Sequence, residues 1–173
     1  MGVVLLCACS DDPQEANKLG LNYLNGDGVA QDYAKALKYF SQAAEQGVAE
    51  AQNKLGDMYE KGLAVGQDYG QALSWYRKAA EQGLAEAQNK VGNSFNGGKG
   101  VARDYSEALK WYHKAAAQGF PNSQYNIGSC YLNGIGVTKD YQEAMRWFQK
   151  AADQGFHHAM NAIGLMVCRA FPF

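Results

Sequence analysis

Four aspartates recur at a fixed spacing and are the first residues in this chain that could carry acid–base chemistry. Each is followed by a tyrosine, and the four are Asp32, Asp68, Asp104 and Asp140. Such a carboxylate acts either as a general acid or base, or as an acceptor for the first backbone N–H groups of a helix. Gln71, Glu107 and Glu143 stand three residues after the last three aspartates, which is the spacing of a capping box. We therefore predict that all four aspartates are helix N-caps and that none is catalytic.

The other candidates for chemistry give weaker signals. His157 and His158 are adjacent, but neighbouring residues on a helix do not face each other, and no further ligand stands at zinc spacing. We place this pair in a solvated loop and His113 on an exposed helix surface. The recurring Gly-x-Gly segments do not follow a strand, as a nucleotide-binding loop would, and no Gly-x-Ser-x-Gly motif is present. We therefore predict no catalytic residue, no metal and no cofactor.

The net charge and the lack of a long apolar stretch exclude two classes of partner. The 173 residues include 16 Lys and Arg against 17 Asp and Glu, which gives a formal net charge of -1. A near-neutral chain without a basic cluster lacks the counterion release that drives binding to nucleic acid. No stretch approaches the roughly 20 apolar residues that a membrane-spanning helix needs. We expect a protein or peptide as the partner, and contact with a membrane only through a lipid anchor.

A 36-residue repeat runs through the chain and supplies the elements that position these residues. Its apolar column consists of Leu19, Leu55, Val91, Ile127 and Ile163, and its glycine column of Gly20, Gly56, Gly92, Gly128 and Gly164. A fixed period of this size is typical of a solenoid, in which each unit buries its apolar face against its neighbours. We predict an all-α solenoid of about nine helices over residues 14–168. Its units are expected at about 15–50, 51–86, 87–122 and 123–158, with a partial fifth at 159–168.

The first helix of the second unit shows how one repeat is built. It is predicted from about Ala51 to Lys61, with Gly56 inside it at a cost of about 1 kcal/mol relative to alanine. Because this glycine recurs in all five units, we expect it to permit a close approach between helices. Gly62 is predicted to end the helix in a left-handed conformation, and Val65 to plug the gap between helices.

The second helix is predicted to open at Asp68 and to end at Gly83. Its apolar stripe has the spacing of one helix face and consists of Ala72, Trp75, Tyr76, Ala79 and Ala80.

This pattern resembles the Sel-one-like repeat family, which is related to the tetratricopeptide repeats. In the third unit the matching residues are Ala87, Val91, Gly92, Phe95, Gly98, Gly100, Val101, Asp104, Tyr105, Ala108, Trp111, Tyr112, Ala115, Ala116 and Gly119. A tetratricopeptide array would have a period of about 34 residues. The resemblance implies a right-handed superhelix of antiparallel helix pairs that acts as a non-enzymatic adaptor for proteins or peptides.

The resemblance also implies that the first helix of each unit lines a concave groove. Two columns on these helices are neither core nor glycine. One consists of Asn17, Asn53, Asn89, Tyr125 and Asn161, and the other of Leu21, Asp57, Asn93, Ser129 and Leu165. Because asparagine both donates and accepts hydrogen bonds, we hypothesise a peptide groove with Tyr125 as its aromatic anchor. Its predicted binding residues are Asn17, Asn53, Asp57, Asn89, Asn93, Tyr125 and Ser129. The alternative is that these are ordinary polar residues on a solvated helix.

The four cysteines bear on a second functional hypothesis. One branch of the resembled family has a disulfide in each helix pair, and some of its members are linked to β-lactam binding or hydrolysis. An envelope β-lactam-binding or hydrolase-like protein is therefore the alternative function. The paired cysteines of that branch are missing here, since Cys130 and Cys168 stand in different columns. Helices of neighbouring units lie about 8–10 Å apart, so we expect both thiols to be reduced and buried.

The N-terminus raises a third hypothesis. Residues 1–13 form a short apolar leader in which Leu6-Cys7-Ala8-Cys9 resembles a bacterial lipobox, with Cys9 as the lipid-attachment residue. The basic region of a complete signal peptide is absent. This leader favours the bacterial cell envelope, and a structural lipoprotein of an envelope complex, over the cytoplasm. The alternative is a frayed end that packs on the first repeat.

The C-terminus ends in an irregular tail at residues 169–173. Terminal repeats normally carry a polar outer face, whereas Leu165, Met166 and Val167 and the Phe171-Pro172-Phe173 end are apolar. Either the chain is a truncated product, or this apolar edge docks on another subunit.

Overall fold

The computed structural model describes residues 12–170, and within this range the chain forms nine α-helices and no strand. They are α1 (Pro13–Asn25), α2 (Tyr33–Glu45), α3 (Ala49–Lys61), α4 (Tyr69–Glu81), α5 (Ala85–Gly97), α6 (Tyr105–Ala117), α7 (Pro121–Asn133), α8 (Tyr141–Ala152) and α9 (His157–Ala170). Each odd-numbered helix packs on the even-numbered helix that follows it, and each pair packs on the next pair. This confirms the predicted α-solenoid of antiparallel pairs, with α9 as the first helix of a fifth unit.

All four recurring aspartates cap a second helix, as predicted. The Asp68 carboxylate accepts hydrogen bonds from the backbone N–H groups of Gly70 at 2.8 Å and Gln71 at 2.9 Å. Asp32, Asp104 and Asp140 make the equivalent bonds in their units. Each such cap stabilises a helix by about 0.5–2 kcal/mol, which is a sufficient physical reason for the recurrence of these carboxylates.

The loop inside each unit is closed by a glycine and by one long-range backbone bond. Gly62 ends α3 with a φ of 70°, and its N–H donates to the carbonyl of Met58. The N–H of Asp68 then donates to the Tyr59 carbonyl at 3.0 Å, which holds the start of α4 beside the end of α3. The plug was predicted for Val65, which is partly buried. At the equivalent positions of the third and fourth units, Val101 and Val137 pack on the core, whereas Val29 in the first unit is exposed.

In every complete unit, a glycine of the first helix packs directly against an aromatic ring of the second helix. A Cβ atom added at Gly56 would lie 2.5 Å from Cε1 of Tyr76 and 3.2 Å from the carbonyl oxygen of Ala72. The four pairs are Gly20 with Phe40, Gly56 with Tyr76, Gly92 with Tyr112, and Gly128 with Phe148. The close approach predicted from the glycine column is therefore confirmed, and its partner is a buried ring.

Two of the predicted helix boundaries need correction. The first helices begin two residues earlier than expected, at Ala49, Ala85 and Pro121, and each follows an apolar N-cap that makes no side-chain cap bond. In the second and third units this residue, Val48 or Leu84, packs on the core. Helix α9 likewise begins at His157, so the histidine pair lies in a helix and not in a loop, with both residues exposed. At its other end α9 continues to Ala170, where the other units have their helix-ending glycine.

Several predictions lie outside the described residues. They concern the greater part of the apolar leader, with Cys9, and the Phe171–Phe173 end. At the end of the predicted leader, Pro13 is the first residue of α1, and Asp12 caps this helix by accepting from the N–H of Gln14 at 2.9 Å. Across the described helices, none combines the length and the hydropathy that a bilayer crossing requires.

Gly92→Ala tests the contact between glycine and ring. We expect the free energy of unfolding to fall by about 1–3 kcal/mol, because the new methyl group overlaps the Tyr112 ring. Gly97→Ala in the same helix is the matched control, since its Cβ meets only Lys99 Cγ at 3.6 Å and alanine is the better helix former. Urea denaturation followed by circular dichroism measures both, and an equal effect of the two substitutions would contradict the interpretation.

Candidate functional site

The predicted binding residues all lie on the first helices. We call the side of the molecule formed by α1, α3, α5, α7 and α9 the first-helix face. Asn17 is on α1, Asn53 and Asp57 are on α3, Asn89 and Asn93 are on α5, and Tyr125 and Ser129 are on α7. Their side chains have different surroundings, so the two columns are considered separately.

The asparagines of the first three units are buried, which corrects the prediction that they face an open groove, whereas Asn161 in the same column is exposed. Asn17, Asn53 and Asn89 are only 5%, 1% and 7% exposed. Asn17 Nδ2 donates to Glu50 Oε2 of the next first helix at 3.2 Å. The physical reason is that adjacent first helices pack side by side, so this column faces the neighbouring helix and not solvent.

Hydrogen bonding within this column differs from unit to unit. Asn89 Oδ1 accepts from Ser123 Oγ at 2.8 Å and from Asn126 Nδ2 at 2.9 Å. Asn53 Oδ1, by contrast, has no donor among residues 12–170, and neither does Asn17 Oδ1. The position of Ser123 is taken by Ala87 opposite Asn53, and alanine offers no hydroxyl group. Among these three asparagines, only Asn89, between α5 and α7, has a donor for its Oδ1 atom within residues 12–170.

The second predicted column is more accessible. Asn93 is exposed, and Asp57 and Ser129 are partly exposed, as is Tyr125 of the first column. Asn93 Oδ1 accepts from the Tyr112 hydroxyl at 2.9 Å and from Asn126 Nδ2 at 3.3 Å. These bonds fix the position of the Asn93 amide at the surface.

A cluster of charged residues joins α3 to α5 beside Asn93. Lys90 Nζ lies 2.6 Å from Asp57 Oδ1 and 2.7 Å from Glu86 Oε1, and Lys99 Nζ lies 3.1 Å from Glu60 Oε1. The Tyr76 hydroxyl is 2.7 Å from Asp57 Oδ1 and 2.9 Å from Glu60 Oε2. We call these residues, with Tyr76 at their base, the charged cluster. It borders a cavity of about 280 Å³ that Asn93 and Asn96 also line.

The electrostatics of the cluster keep Tyr76 protonated. Burial of the phenol, and then the negative charges of Asp57 and Glu60, raise the pKa of Tyr76 far above its usual value. Burial alone would raise the pKa of Glu60 as well, but hydrogen bonds from Tyr76 and Lys99 outweigh it and hold that pKa below its usual value. At neutral pH the phenol is therefore protonated and can donate its hydrogen to the neighbouring carboxylates.

Tyr125 and Ser129 belong to a different region of the first-helix face. They line a groove of about 1070 Å³ between the α7–α8 pair and α9, together with Leu132, Phe148, Leu165 and Met166. The Tyr125 ring packs on Phe148 at 5.4 Å between centroids. The structure therefore separates the predicted residues into a polar region around Asn93 and a mainly apolar groove at α9.

A ladder of glutamines was missed by the sequence analysis. Gln52 Nε2 donates to the Ala44 carbonyl at the end of α2, and Gln82 Nε2 of the next second helix donates to Gln52 Oε1 at 2.8 Å. Gln88 and Gln118 repeat this arrangement one unit later. The signal was present in the sequence, because these glutamines also recur every 36 residues. They bond three successive helices together and leave no open site.

The thiol and histidine candidates show no catalytic arrangement. Cys130 is a free, buried cysteine, and burial raises the pKa of its thiol to about 11. His113 is exposed and lies edge-on to Trp147. In the part of the chain that the structure describes, no three His, Cys, Asp or Glu side chains come together as metal ligands.

Four consecutive segments of the chain match the Sel1 repeat, at residues 16–48, 49–84, 85–120 and 121–156. The chain belongs to the Sel1 repeat family. Proteins with Sel1 repeats generally serve as scaffolds for protein–protein interaction. No curated protein sequence matches this chain.

Two solved structures with the same repeat are similar to it over nearly its whole length. A protective antigen present in uropathogenic Escherichia coli strains is 40% identical with a TM-score of 0.88, over 94% of this chain and 35% of that one. A Sel1 repeat protein from Oxalobacter formigenes is 37% identical with a TM-score of 0.88, over 92% of this chain and 64% of that one. The chain therefore spans less than two thirds of the length of either.

A third structure represents the cysteine-rich branch. Cysteine rich protein B of Helicobacter pylori is 28% identical with a TM-score of 0.55, over 64% of this chain and 87% of that one. The Sel1 repeats of the present chain lack the paired cysteines of that branch, so this likeness does not favour the hydrolase alternative.

Ala87→Ser tests the unpaired Asn53 Oδ1 atom between the first helices α3 and α5. The new hydroxyl group would reach Asn53 Oδ1 as Ser123 reaches Asn89, and we expect the free energy of unfolding to rise by about 0.5–1 kcal/mol. Ser123→Ala should lower it by about 1 kcal/mol, because Asn89 then keeps only its bond from Asn126. Urea denaturation measures both changes. Effects of the same sign would refute this account of the seam.

Tyr76→Phe tests the charged cluster through its pH dependence. Above pH 10 the Tyr76 phenol ionises in the unfolded chain but not in the folded one, so the folded protein loses stability as the pH rises. Tyr112 and Cys130 act in the same direction, because their pKa values are also raised. At pH 7 the free energy of unfolding of the variant should be about 1–3 kcal/mol lower than that of the wild type. Above pH 10 this free energy should then fall less steeply in the variant than in the wild type, by up to about 1.4 kcal/mol per pH unit.

Urea denaturation at pH 7, 9, 10 and 11 measures these slopes. Tyr33→Phe, at an exposed ring, is the control for the substitution itself. Parallel slopes for wild type and Tyr76→Phe would show that this phenol does not govern the alkaline loss of stability.

Proposed function

We propose that this protein is a non-enzymatic scaffold that binds an extended segment of a partner protein on the first-helix face, between α3 and α7. The observation that carries the proposal is the exposed amide of Asn93. Asp57 and Ser129 stand at the equivalent positions of the neighbouring first helices and are partly exposed, and Ser129 also lines the groove at α9. Packed helices lie about 8–10 Å apart. An extended peptide advances about 3.3 Å per residue, so it would meet one of these side chains about every three residues.

The bonding of Asn93 supports a role in contacting peptide carbonyls. Both intramolecular bonds to Asn93 go to its Oδ1 atom, from Tyr112 and Asn126. Its Nδ2 group is then the donor offered to a ligand, and its orientation is fixed before binding. Preorganisation of this kind lowers the entropic cost of association.

The charged cluster forms the part of the proposed binding surface that lies beside Asn93. Lys90 and Lys99 lie on the wall of the cavity beside Asn93, and their carboxylate partners Asp57 and Glu60 hold them in place. The more exposed pair, Lys99 with Glu60, contributes little to stability. The two pairs do place charges of both signs beside the proposed peptide path, where they favour a polar partner over an apolar one.

Site-specific photo-crosslinking tests the proposed face. A benzoylphenylalanine residue at position 93 or 129, in the protein expressed in its own host, should yield discrete adducts identifiable by mass spectrometry. Exposed Ser74 and Ser106 on the second helices α4 and α6 are the matched control positions. Adducts that form only from the control positions would contradict the proposal.

Measuring how tightly the captured partner binds to wild type and to two variants makes the test quantitative. Asn93→Arg should weaken that binding at least tenfold, because the longer side chain obstructs the polar column. Ser74→Arg, which adds the same charge on the opposite side of a helix pair, should change it less than twofold.

A further inference from the structure

The cavity beside Asn93 is lined entirely by polar residues. It has a volume of about 280 Å³, and its walls are formed by Glu60, Lys90, Asn93, Ser94, Asn96 and Lys99. We call it the α3–α5 pocket. All six residues belong to the second and third repeats, so both walls of the pocket lie within this chain and away from either end of the sequence.

The two lysines of the pocket keep hydrogen-bond donors that their ion pairs do not use. An ammonium group has three N–H donors. Among the described residues, Lys99 uses one of them on Glu60 Oε1 at 3.1 Å. Lys90 uses two, on Asp57 Oδ1 at 2.6 Å and on Glu86 Oε1 at 2.7 Å. Both ammonium groups can therefore donate to a further acceptor, and Lys99 is the more accessible of the two, since half of its side chain is exposed.

The other walls add donors, and their carboxylate is already bonded. Two intramolecular bonds occupy Asn93 Oδ1, so its Nδ2 group is left to donate, and Asn96 brings a second amide group. Each oxygen of Glu60 accepts a hydrogen bond, Oε1 from Lys99 and Oε2 from the Tyr76 hydroxyl. The pocket thus offers two ammonium groups and two amides to a ligand that accepts hydrogen bonds.

This set of donors is specific to the third unit. Lys99 stands at a loop position where the second and fourth units have Leu63 and Ile135, which pack on the core. Lys99 instead reaches back to Glu60 of the preceding unit, so the packing of the repeat does not account for a lysine at this position. The residues equivalent to Asn93, Asn96 and Lys99 are Asp57, Glu60 and Leu63 in the second unit and Ser129, Leu132 and Ile135 in the fourth.

We propose that the α3–α5 pocket binds a carboxylate group, from an acidic side chain or a chain terminus, of the segment held on the first-helix face. The inference rests on the proposed function, because Asn93 belongs both to the pocket and to the proposed binding face. A carboxylate has two oxygens that accept about four hydrogen bonds and no hydrogen to donate, which matches four donor groups around one cavity.

The same donors disfavour the two other groups that a peptide could present. A lysine or arginine of the partner needs acceptors, and both oxygens of Glu60 are already engaged. A backbone carbonyl accepts hydrogen bonds but carries no charge. Bonds from an ammonium group to a carboxylate are about twice as strong as bonds between neutral groups. The pocket therefore selects a carboxylate over a carbonyl.

Three short peptides are the probes for this selection. The first is a blocked pentapeptide with a glutamate between glycines, the second has glutamine in its place, and the third is a pentaglycine with a free C-terminal carboxylate. Each is titrated into the isotope-labelled full chain at low ionic strength, and nuclear magnetic resonance follows the side-chain signals of Asn93 and Lys99. At least one carboxylate peptide should bind at least about tenfold more tightly than the glutamine peptide. The tighter of the two identifies the source of the carboxylate.

Asn93→Asp is the decisive protein variant. It keeps an oxygen for Tyr112 and Asn126 and replaces the Nδ2 donor by a second oxygen, so the fold should be retained, as circular dichroism checks. Affinity for the carboxylate peptide should fall at least about tenfold, because a donor becomes a negative charge. Lys99→Met should cause a loss of similar size.

Lys110→Met is the matched control for the lysine substitution. Lys110 on α6 also pairs with a carboxylate, Glu107 at 2.9 Å, but lies outside the pocket, so its replacement should leave the affinity unchanged.

Glu60→Gln should produce a gain of affinity. The amide keeps an oxygen for the Tyr76 hydroxyl and removes the charge that competes for Lys99, so the carboxylate peptide should bind at least about threefold more tightly. Unchanged affinity in this variant would mean that the ion pair between Lys99 and Glu60 has only a structural role, and the proposal would fail.

Three further results would overturn the proposal. The first is equal binding of the glutamate and glutamine peptides together with no saturable binding of the third. The second is wild-type affinity in both Asn93→Asp and Lys99→Met. The third is tighter binding of inorganic phosphate than of either carboxylate peptide, which would assign the pocket to phosphate groups.

The photo-crosslinking experiment separates a failure of this inference from a failure of the proposed function. Adducts from position 93, combined with a pocket that does not distinguish glutamate from glutamine, would support the scaffold and refute the carboxylate site. Selective carboxylate binding without adducts from positions 93 and 129 would support the site and refute the proposed binding face.

Discussion

The contact between a glycine of the first helix and a ring of the second helix is the constraint on which the rest of this structure depends. A side chain at Gly56 or Gly92 would overlap Tyr76 or Tyr112, so the two helices can approach this closely only if the glycine is kept. The helix-propensity cost of about 1 kcal/mol is offset by the burial of a large ring in each unit. Because that ring also carries a hydroxyl group in the second and third units, the same contact positions the polar surface. Tyr76 reaches Asp57 and Glu60, and Tyr112 reaches Asn93.

A second set of interactions joins one unit to the next, and it is largely polar. The glutamines at positions 52 and 82 connect three successive helices, and the asparagine seam connects adjacent first helices. Buried amides of this kind specify the position of one unit on the next, since a displaced unit would leave their polar atoms unpaired at a cost of about 1–3 kcal/mol each. A solenoid has few contacts between distant units, so the geometry of its binding surface is set by these nearest-neighbour bonds.

The sequence predicted the elements of this fold well because local rules determine them. Asp68 and Asp140 act as N-caps through bonds to backbone groups two or three residues away, and Gly62 ends its helix by its own left-handed conformation. Because the same pattern recurs every 36 residues, an inference that is correct for one unit holds for the equivalent positions of the others. The burial of Asn53 and Asn89 was not predictable in this way, because it depends on how closely neighbouring first helices pack. A periodic polar residue looks the same in sequence whether it faces solvent or a buried seam, and only Ser123, a polar residue in a column of alanines, hinted at its partner.

The same physical reasoning explains which polar and glycine positions of the repeat are covered. Within a regular unit every column has a counterpart that covers or bonds it, as Gln124 has Gln154 and Gly128 has Phe148. Asn93 is different, because its side chain is exposed although Tyr112 and Asn126 both donate to its Oδ1 atom. The regular packing of the repeat therefore fixes the orientation of an accessible amide, which is how a solenoid can hold a surface group in place without burying it.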